Sequence, residues 1–387
     1  MTTAPSSTAA AARSNARPFL HGTEFAAAAD AMREGQYGHG VLTELFEQDV
    51  ARFLGVPDVV AVSSGTMALH IALLAAGIGP GDEVIVPSQT FAATIQAIVA
   101  CGAHPRFIEI NPDTLCIESQ SVLEAITSDT RAVMPVLFGG RAVDLNAVHD
   151  VLGERDITVI EDAAHAFGSY TATARVGATR TALTCFSFGP IKNLTCLEGG
   201  ALVPRTAHEA DIARQLRLLG INQPQSERIS TTSYTVGAFG LRGTMSSIHA
   251  AVGSAQLDQF PLIEAKRKNL WRAYAAGLRQ LDGVALVDLD VDRTVPFNCV
   301  VRVPHRDDVH RILHQQGIGV GVHYPPNHLQ PAFSPWYRSL PVTETVAGEM
   351  LSLPFHPYMS IMDVQHVVAA LGRAVTKVRT DPAAEAS

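Results

Sequence analysis

From about residue 41 the apolar positions switch repeatedly between two spacings. Residues 42–53 carry them at the interval of a helix face, and 59–62 then run as a short apolar strand. Further strands are predicted over 83–87, 106–110, 132–136, 158–161, 183–188 and 201–204, with helical stretches between most of them. Parallel strands need crossover helices, so this alternation predicts a doubly wound α/β sheet. After a helical stretch at 245–260 and a long helix near 262–281, the pattern changes to a smaller α/β unit. That unit would hold strands at 284–287, 298–303 and 319–324, a helix at 306–316 and a closing helix at 361–378. The expected organisation is a large domain over 18–245, a small C-terminal domain over 246–380, and disordered tails at 1–17 and 381–387.

Composition narrows the class. With 387 residues and 47% hydrophobic content, the chain has enough apolar material for two cores. A formal net charge of −8, with no basic stripe, argues against a nucleic-acid partner. Gly, Pro or polar residues break the longest apolar stretches well short of the roughly 20 residues that a membrane span needs, so no membrane role is expected. Five cysteines without a Cys-x-x-Cys pair fit a reducing cytoplasm, the expected location. The fifteen histidines show no metal-ligand spacing, and no metal is expected.

Within this frame Lys192 stands out. It follows the strand at 183–188 and lies among Phe186, Phe188, Pro190, Ile191 and Leu194. Desolvation in such a setting lowers an amine's pKa and leaves it nucleophilic, as imine chemistry requires. Thirty residues earlier, Asp162 ends the apolar strand at 158–161. A carboxylate at the carboxyl end of a buried parallel strand faces the crevice where such sheets hold ligands, and it needs a cationic partner there. The protonated ring nitrogen of pyridoxal 5'-phosphate is one such partner, and an imine-forming lysine with that carboxylate is the minimum this cofactor asks of a protein. Taken singly, each residue has a plainer reading: Lys192 as a snorkelling loop lysine, Asp162 as a helix cap.

Two further segments sit at strand ends. Ser63-Ser-Gly-Thr66 leads into an apolar helix, and free N–H groups with Ser64, Gly65 and Thr66 can cradle a phosphate or merely cap the helix. Ser187 supplies another hydroxyl five residues before Lys192. Phe91, in Pro87-Ser-Gln-Thr-Phe-Ala-Ala-Thr94, begins a helix where an aromatic either lies on a cofactor ring or joins the core.

Taken in order, these segments, together with Val159-Ile-Glu-Asp-Ala-Ala-His-Ala166 and Met245-Ser-Ser-Ile-His-Ala-Ala-Val-Gly-Ser-Ala-Gln-Leu257, resemble the DegT/DnrJ/StrS sugar aminotransferases over roughly residues 30–375. The resemblance implies the fold type I architecture of the aspartate aminotransferase superfamily, and a homodimer with active sites at the subunit interface. It implies pyridoxal 5'-phosphate as cofactor, with pyridoxamine 5'-phosphate as its aminated form. By position, Lys192 would bind the cofactor covalently, Asp162 would hold its ring nitrogen, and His165 would sit by the ring hydroxyl. Phe91 would stack on the ring, while Ser64, Gly65, Thr66 and Ser187 would take the phosphate. Lysine, rather than the histidine of relatives that dehydrate sugars, favours transamination.

The chain also departs from the family pattern. Where members often carry Asn-Tyr-Arg, with the asparagine reaching a phosphate across the dimer, this chain reads Arg242-Gly-Thr244. Arg242 could replace that asparagine, grip a substrate anion or pair on the surface. Gly189-Pro-Ile191 before the lysine and Leu197 before the glutamate also differ.

For the substrate, Val322-His-Tyr-Pro-Pro-Asn-His328 resembles the family's His-Tyr-x-Pro-x-His segment and offers His323, Tyr324 and His328 to a polyol; the alternative is a proline-shaped loop. Tyr37 and His39 border the entrance or belong to a glycine turn. The expected function is transfer of an amino group from glutamate or glutamine to a keto-sugar, nucleotide-linked, in amino-sugar or antibiotic biosynthesis. Alternatives are a free ketocyclitol or aminoglycoside precursor as acceptor, and a catalytically idle regulatory homologue.

Overall fold

A computed structural model describes residues 14–223 and 230–380. Seven strands form the main sheet: β1 (Val60–Val62), β2 (Glu83–Pro87), β3 (His104–Ile108), β4 (Thr130–Val133), β5 (Thr158–Asp162), β6 (Leu183–Ser187) and β7 (Gly200–Val203). Their order is β1-β7-β6-β5-β4-β2-β3, with β7 antiparallel to both neighbours and the other pairings parallel. Two antiparallel steps restore direction, so β1 points the same way as β6. The carboxyl ends of β1, β2, β5 and β6 therefore share one edge, and the amino end of β7 joins them there.

The strands are legible as apolar runs because helices cover both faces of the sheet. Val60, Val84, Ile160 and Leu183 pack toward helices Gly65–Ala75 and Ala92–Ala100 in one core. Ala61, Phe186 and Ala201 face a second core with Phe46, Phe167 and Phe260. Helix Ser247–Asp258, which follows the expected junction at residue 246, packs against helices Thr23–Arg33 and Val41–Leu54 of this first body.

A three-stranded antiparallel sheet, ordered β10-β9-β8, carries the smaller unit: β8 (Ala285–Leu286), β9 (Cys299–Arg302) and β10 (Met350–Leu353). Helices Phe260–Leu278 and Ile361–Thr380 bury Trp271, Tyr274, Val367 and Leu371 against it. The strand expected at 319–324 is absent, and these residues make a single bridge, Gly321 to Ser352. The third strand is β10 instead, because the chain after Gly321 leaves the sheet for the cavity edge, where Gln89 Nε2 donates to the Tyr324 carbonyl.

The expected tail at 381–387 lies outside the described residues. In the stretch expected as the leading tail, Asn15 is held: Nδ2 donates to the Ser352 carbonyl at 3.0 Å, and its own carbonyl accepts from Phe355 N at 2.9 Å. Among the described residues, no helix is long and apolar enough to cross a membrane. No group of three or more His, Cys, Asp or Glu side chains there is placed to hold a metal ion.

Candidate active site

The carboxyl edge of the main sheet encloses a cavity of about 210 Å³ lined by Lys192, Asp162, His165, Ser187, Phe91 and Tyr324, with Ser64, Gly65 and Thr66 at one end. Close backbone packing builds that end. Ser187 pairs across β7 with Gly200, which in turn pairs with Val62, so the helix entered through Ser64 arrives beside Ser187. A Cβ on Gly200 would stand 2.5 Å from the Ser64 carbonyl carbon, and one on Gly65 2.6 Å from Ser187 Cβ. Only glycine permits this approach, which sets the first N–H groups of helix Gly65–Ala75 beside a serine hydroxyl. Ser64 itself caps the helix, its Oγ accepting from Met67 N at 3.1 Å.

Asp162, 6% exposed, ends β5. Thr94 Oγ donates to its Oδ2 at 2.7 Å and Ala164 N to its Oδ1 at 3.1 Å. Burial raises its pKa, opposed by these two hydrogen bonds and the Lys192 charge. Lys192 Nζ lies 4.7 Å from the centre of the Phe297 ring. No hydrogen bond or ion pair to Nζ occurs among the described residues. Desolvation pulls its pKa down to about 8, against the upward pull of Asp162.

His165 stacks on the other part of this floor, 3.8 Å from the Phe297 ring centre at 14°. Its Nδ1 faces Gly139 N at 3.4 Å, and its Nε2 lies 3.1 Å from the Tyr324 hydroxyl. Burial, followed by the charges of Lys192 and His323, holds its pKa well below the ordinary value. Phe91, 60% exposed, stands at the mouth as the N-cap residue of helix Ala92–Ala100, its ring centre 5.5 Å from that of Tyr324.

The remaining sequence candidates lie elsewhere. His328 is not at the cavity. Its N–H donates to Ser88 Oγ at 3.0 Å, its Nδ1 meets the same hydroxyl at 2.6 Å, and its Nε2 reaches Glu344 at 3.2 Å. His328→Ala is accordingly expected to lower unfolding free energy by about 2–4 kcal/mol in urea titrations, since it opens a cavity and removes the imidazole partner of the buried Ser88 hydroxyl. Folded His328→Ala protein should retain near-parental turnover.

His323 bonds Ser352 Oγ at 2.8 Å and does not line the cavity. Tyr37 is exposed and outside the lining. His39 lies in a separate cleft with Arg217, whose charge, after burial, lowers its pKa to about 4. Arg242 is exposed and also outside the cavity.

Thr94 and Glu198 line the cavity and Phe297 packs against Lys192 and His165, three contributions beyond the residues expected from the sequence. Thr94 was findable, since it lies in the first turn of the helix that Phe91 begins. Phe297 comes from a distant segment with no local signal. Glu198 lines the rim, and among the described residues it makes no hydrogen bond or ion pair.

Residues 19–372 match the DegT/DnrJ/EryC1/StrS aminotransferase family, and the chain belongs to that family. It is an aminotransferase. Solved structures share the fold over nearly the full length. The aminotransferase TlmJ from Streptoalloteichus hindustanus is 31% identical with a TM-score of 0.88, the match covering 95% of this chain and 99% of that one. The sugar aminotransferase CalS13 from Micromonospora echinospora is 28% identical with a TM-score of 0.87, covering 93% and 99%. NtdA from Bacillus subtilis, solved with bound cofactor PMP, is 29% identical with a TM-score of 0.83, covering 92% and 83%.

Proposed function

We propose that this chain is a pyridoxal 5'-phosphate-dependent aminotransferase that moves an amino group from glutamate or glutamine to a keto-sugar, nucleotide-linked. One observation carries the reading. Lys192 Nζ, free of any hydrogen bond or ion pair among the described residues, and the buried Asp162 carboxylate open into the same cavity. Membership of the family and likeness to a sugar aminotransferase support the sugar as acceptor.

The residues present fit the cofactor. Asp162 in its ionised form lacks a full counter-charge, which a protonated ring nitrogen provides. The glycine-enabled cradle of Gly65, Thr66 and Ser187 suits a phosphate. Phe91 offers an exposed ring at the mouth. Bound pyridoxal 5'-phosphate supplies an aldehyde that condenses with amines and a ring that accepts an electron pair.

The chain supplies the rest. As a neutral amine, Lys192 Nζ would hold the cofactor by its aldehyde carbon; once the donor's amine displaces it, the freed Nζ would be placed to take the proton from the donor's α-carbon and to give it up again as product forms. Asp162 keeps the ring nitrogen protonated. The walls hold both partners beside Nζ, which supplies the proximity contribution.

Lys192 is the cavity's single cation among the described residues, so the phosphate end needs another. We propose a homodimer in which Arg242 of the partner subunit provides it, in keeping with that side chain's exposure and absence from its own cavity.

Only the neutral amine is nucleophilic, so capture of pyridoxal 5'-phosphate by the cofactor-free protein is expected to rise with pH through a midpoint near 8, then level off. An unperturbed lysine would still be gaining rate toward 10.5. Stopped-flow absorbance separates the two profiles. The same downward shift makes the ammonium destabilising below about 8, a cost that fades as pH climbs toward 10.5.

The substrate assignment is tested by loading the enzyme with amine from L-glutamate or L-glutamine and offering a panel of nucleotide-linked keto-sugars, free keto-sugars and ketocyclitols. Preference for the nucleotide-linked group is expected; exclusive use of a free cyclitol would overturn it.

A further inference from the structure

The hydrogen bonds around His165 determine where a proton sits. Its Nδ1 faces an amide N–H, that of Gly139, at 3.4 Å, so this nitrogen accepts and is bare. The imidazole is buried near Lys192 and His323, and the burial and these charges keep it neutral. Its one proton is then on Nε2, 3.1 Å from the Tyr324 oxygen, which accepts it. A tyrosine oxygen already accepting from the imidazole must direct its own O–H elsewhere. No second partner takes that proton among the described residues, and the hydroxyl belongs to a side chain that lines the cavity. Burial, followed by the Asp162 charge, raises the Tyr324 pKa, which keeps the hydroxyl protonated.

We propose that Tyr324 is a fixed hydrogen-bond donor aimed at an electron-rich oxygen of the bound ligand, and that His165, set by the Gly139 amide, is the residue that positions it. Two oxygens have this chemistry: the hydroxyl oxygen of the cofactor ring and an oxygen of the keto-sugar. The ligand's identity rests on the function proposed above, whereas the tautomer does not. A donor already aimed at an oxygen where negative charge grows stabilises the reaction without reorganising.

The first test is nitrogen-15 NMR of the cofactor-free protein with labelled histidine, assigned by comparison with His165→Gln. His165 should show a bare Nδ1 and a protonated Nε2, unchanged across about pH 6 to 9. A proton on Nδ1, or titration within that interval, overturns the proposal.

The second test is Tyr324→Phe, read in three assays: titration with pyridoxal 5'-phosphate, the half-reaction with L-glutamate, and amination of the keto-sugar panel. A loss of about 10- to 100-fold is expected in at least one. Weakened cofactor binding assigns the ring oxygen. Parental cofactor binding and glutamate half-reaction, with loss confined to the sugar step, assigns the sugar oxygen. Parental behaviour in all three overturns the proposal.

In a His165→Phe background the same Tyr324→Phe change should cost little, because the orienting donor is already gone; an undiminished further loss would deny His165 its positioning role. Failure of Lys192 to take the cofactor would sink the proposed function yet leave the NMR result standing, so the two failures are distinguishable.

Discussion

Lys192→Ala is expected to cut turnover by roughly three orders of magnitude or more and to leave a folded protein. The loss follows because Lys192 is the one amine side chain in the cavity lining among the described residues, where nothing else can both bind an aldehyde and carry the α-proton. Folding should survive because Nζ forms no hydrogen bond or ion pair among the described residues. Its removal relieves a desolvated charge at neutral pH, so the melting temperature of the cofactor-free variant should equal or exceed the parent's. Steady-state kinetics, the visible absorbance of the cofactor and a thermal melt read all three effects. Parental turnover in Lys192→Ala would remove the basis of the reading.

Asp162→Asn is expected to lower kcat by about two to three orders of magnitude, because a neutral amide cannot keep the ring nitrogen protonated. The substitution is nearly isosteric. Thr94 Oγ lies 2.8 Å from Thr90 Oγ, so it can accept from the new amide while donating to Thr90, and the local bonds persist. The stability effect has the opposite sign. A carboxyl whose folded pKa is raised costs stability in its ionised form, and that cost is fully present once pH exceeds the folded value. Cofactor-free Asp162→Asn protein should therefore match or exceed the parent in urea at neutral pH while losing activity. A variant that lost both together would indicate a structural role for the carboxylate.

The sequence was most informative where chemistry sits at strand ends. Asp162, Ser187, Phe91 and the Ser64–Thr66 turn each close a buried apolar run; parallel pairing brings the ends of β2, β5 and β6 to one edge, and the two antiparallel steps through β7 bring the end of β1 there as well. The histidines of the 322–328 segment were another matter. Their direction depends on partners far along the chain: Ser352 for His323, Ser88 and Glu344 for His328. No spacing rule could select among those partners.

The smaller sheet shows a similar limit. Glycine alternating with Ile318, Val320 and Val322 imitates a strand, yet the chain diverges after one bridge because Tyr324 is anchored at the cavity. The true edge strand, Met350–Leu353, follows helix Pro341–Glu349 without an intervening turn, so its apolar run merges with the helix pattern. Phe297 illustrates the same point in the site itself. Its stacking beneath Lys192 and His165 comes from tertiary packing, aided by a Phe297 N–H bond to the Gly139 carbonyl at 3.0 Å.

The central claim is a covalent link between one side chain and the cofactor. Borohydride reduction of the loaded enzyme, followed by proteolysis and mass mapping of the labelled peptide, tests it most directly. The account predicts a single pyridoxyl label on Lys192, absent from Lys192→Ala. A label on any other residue, or none at all on protein that still turns over, would contradict it.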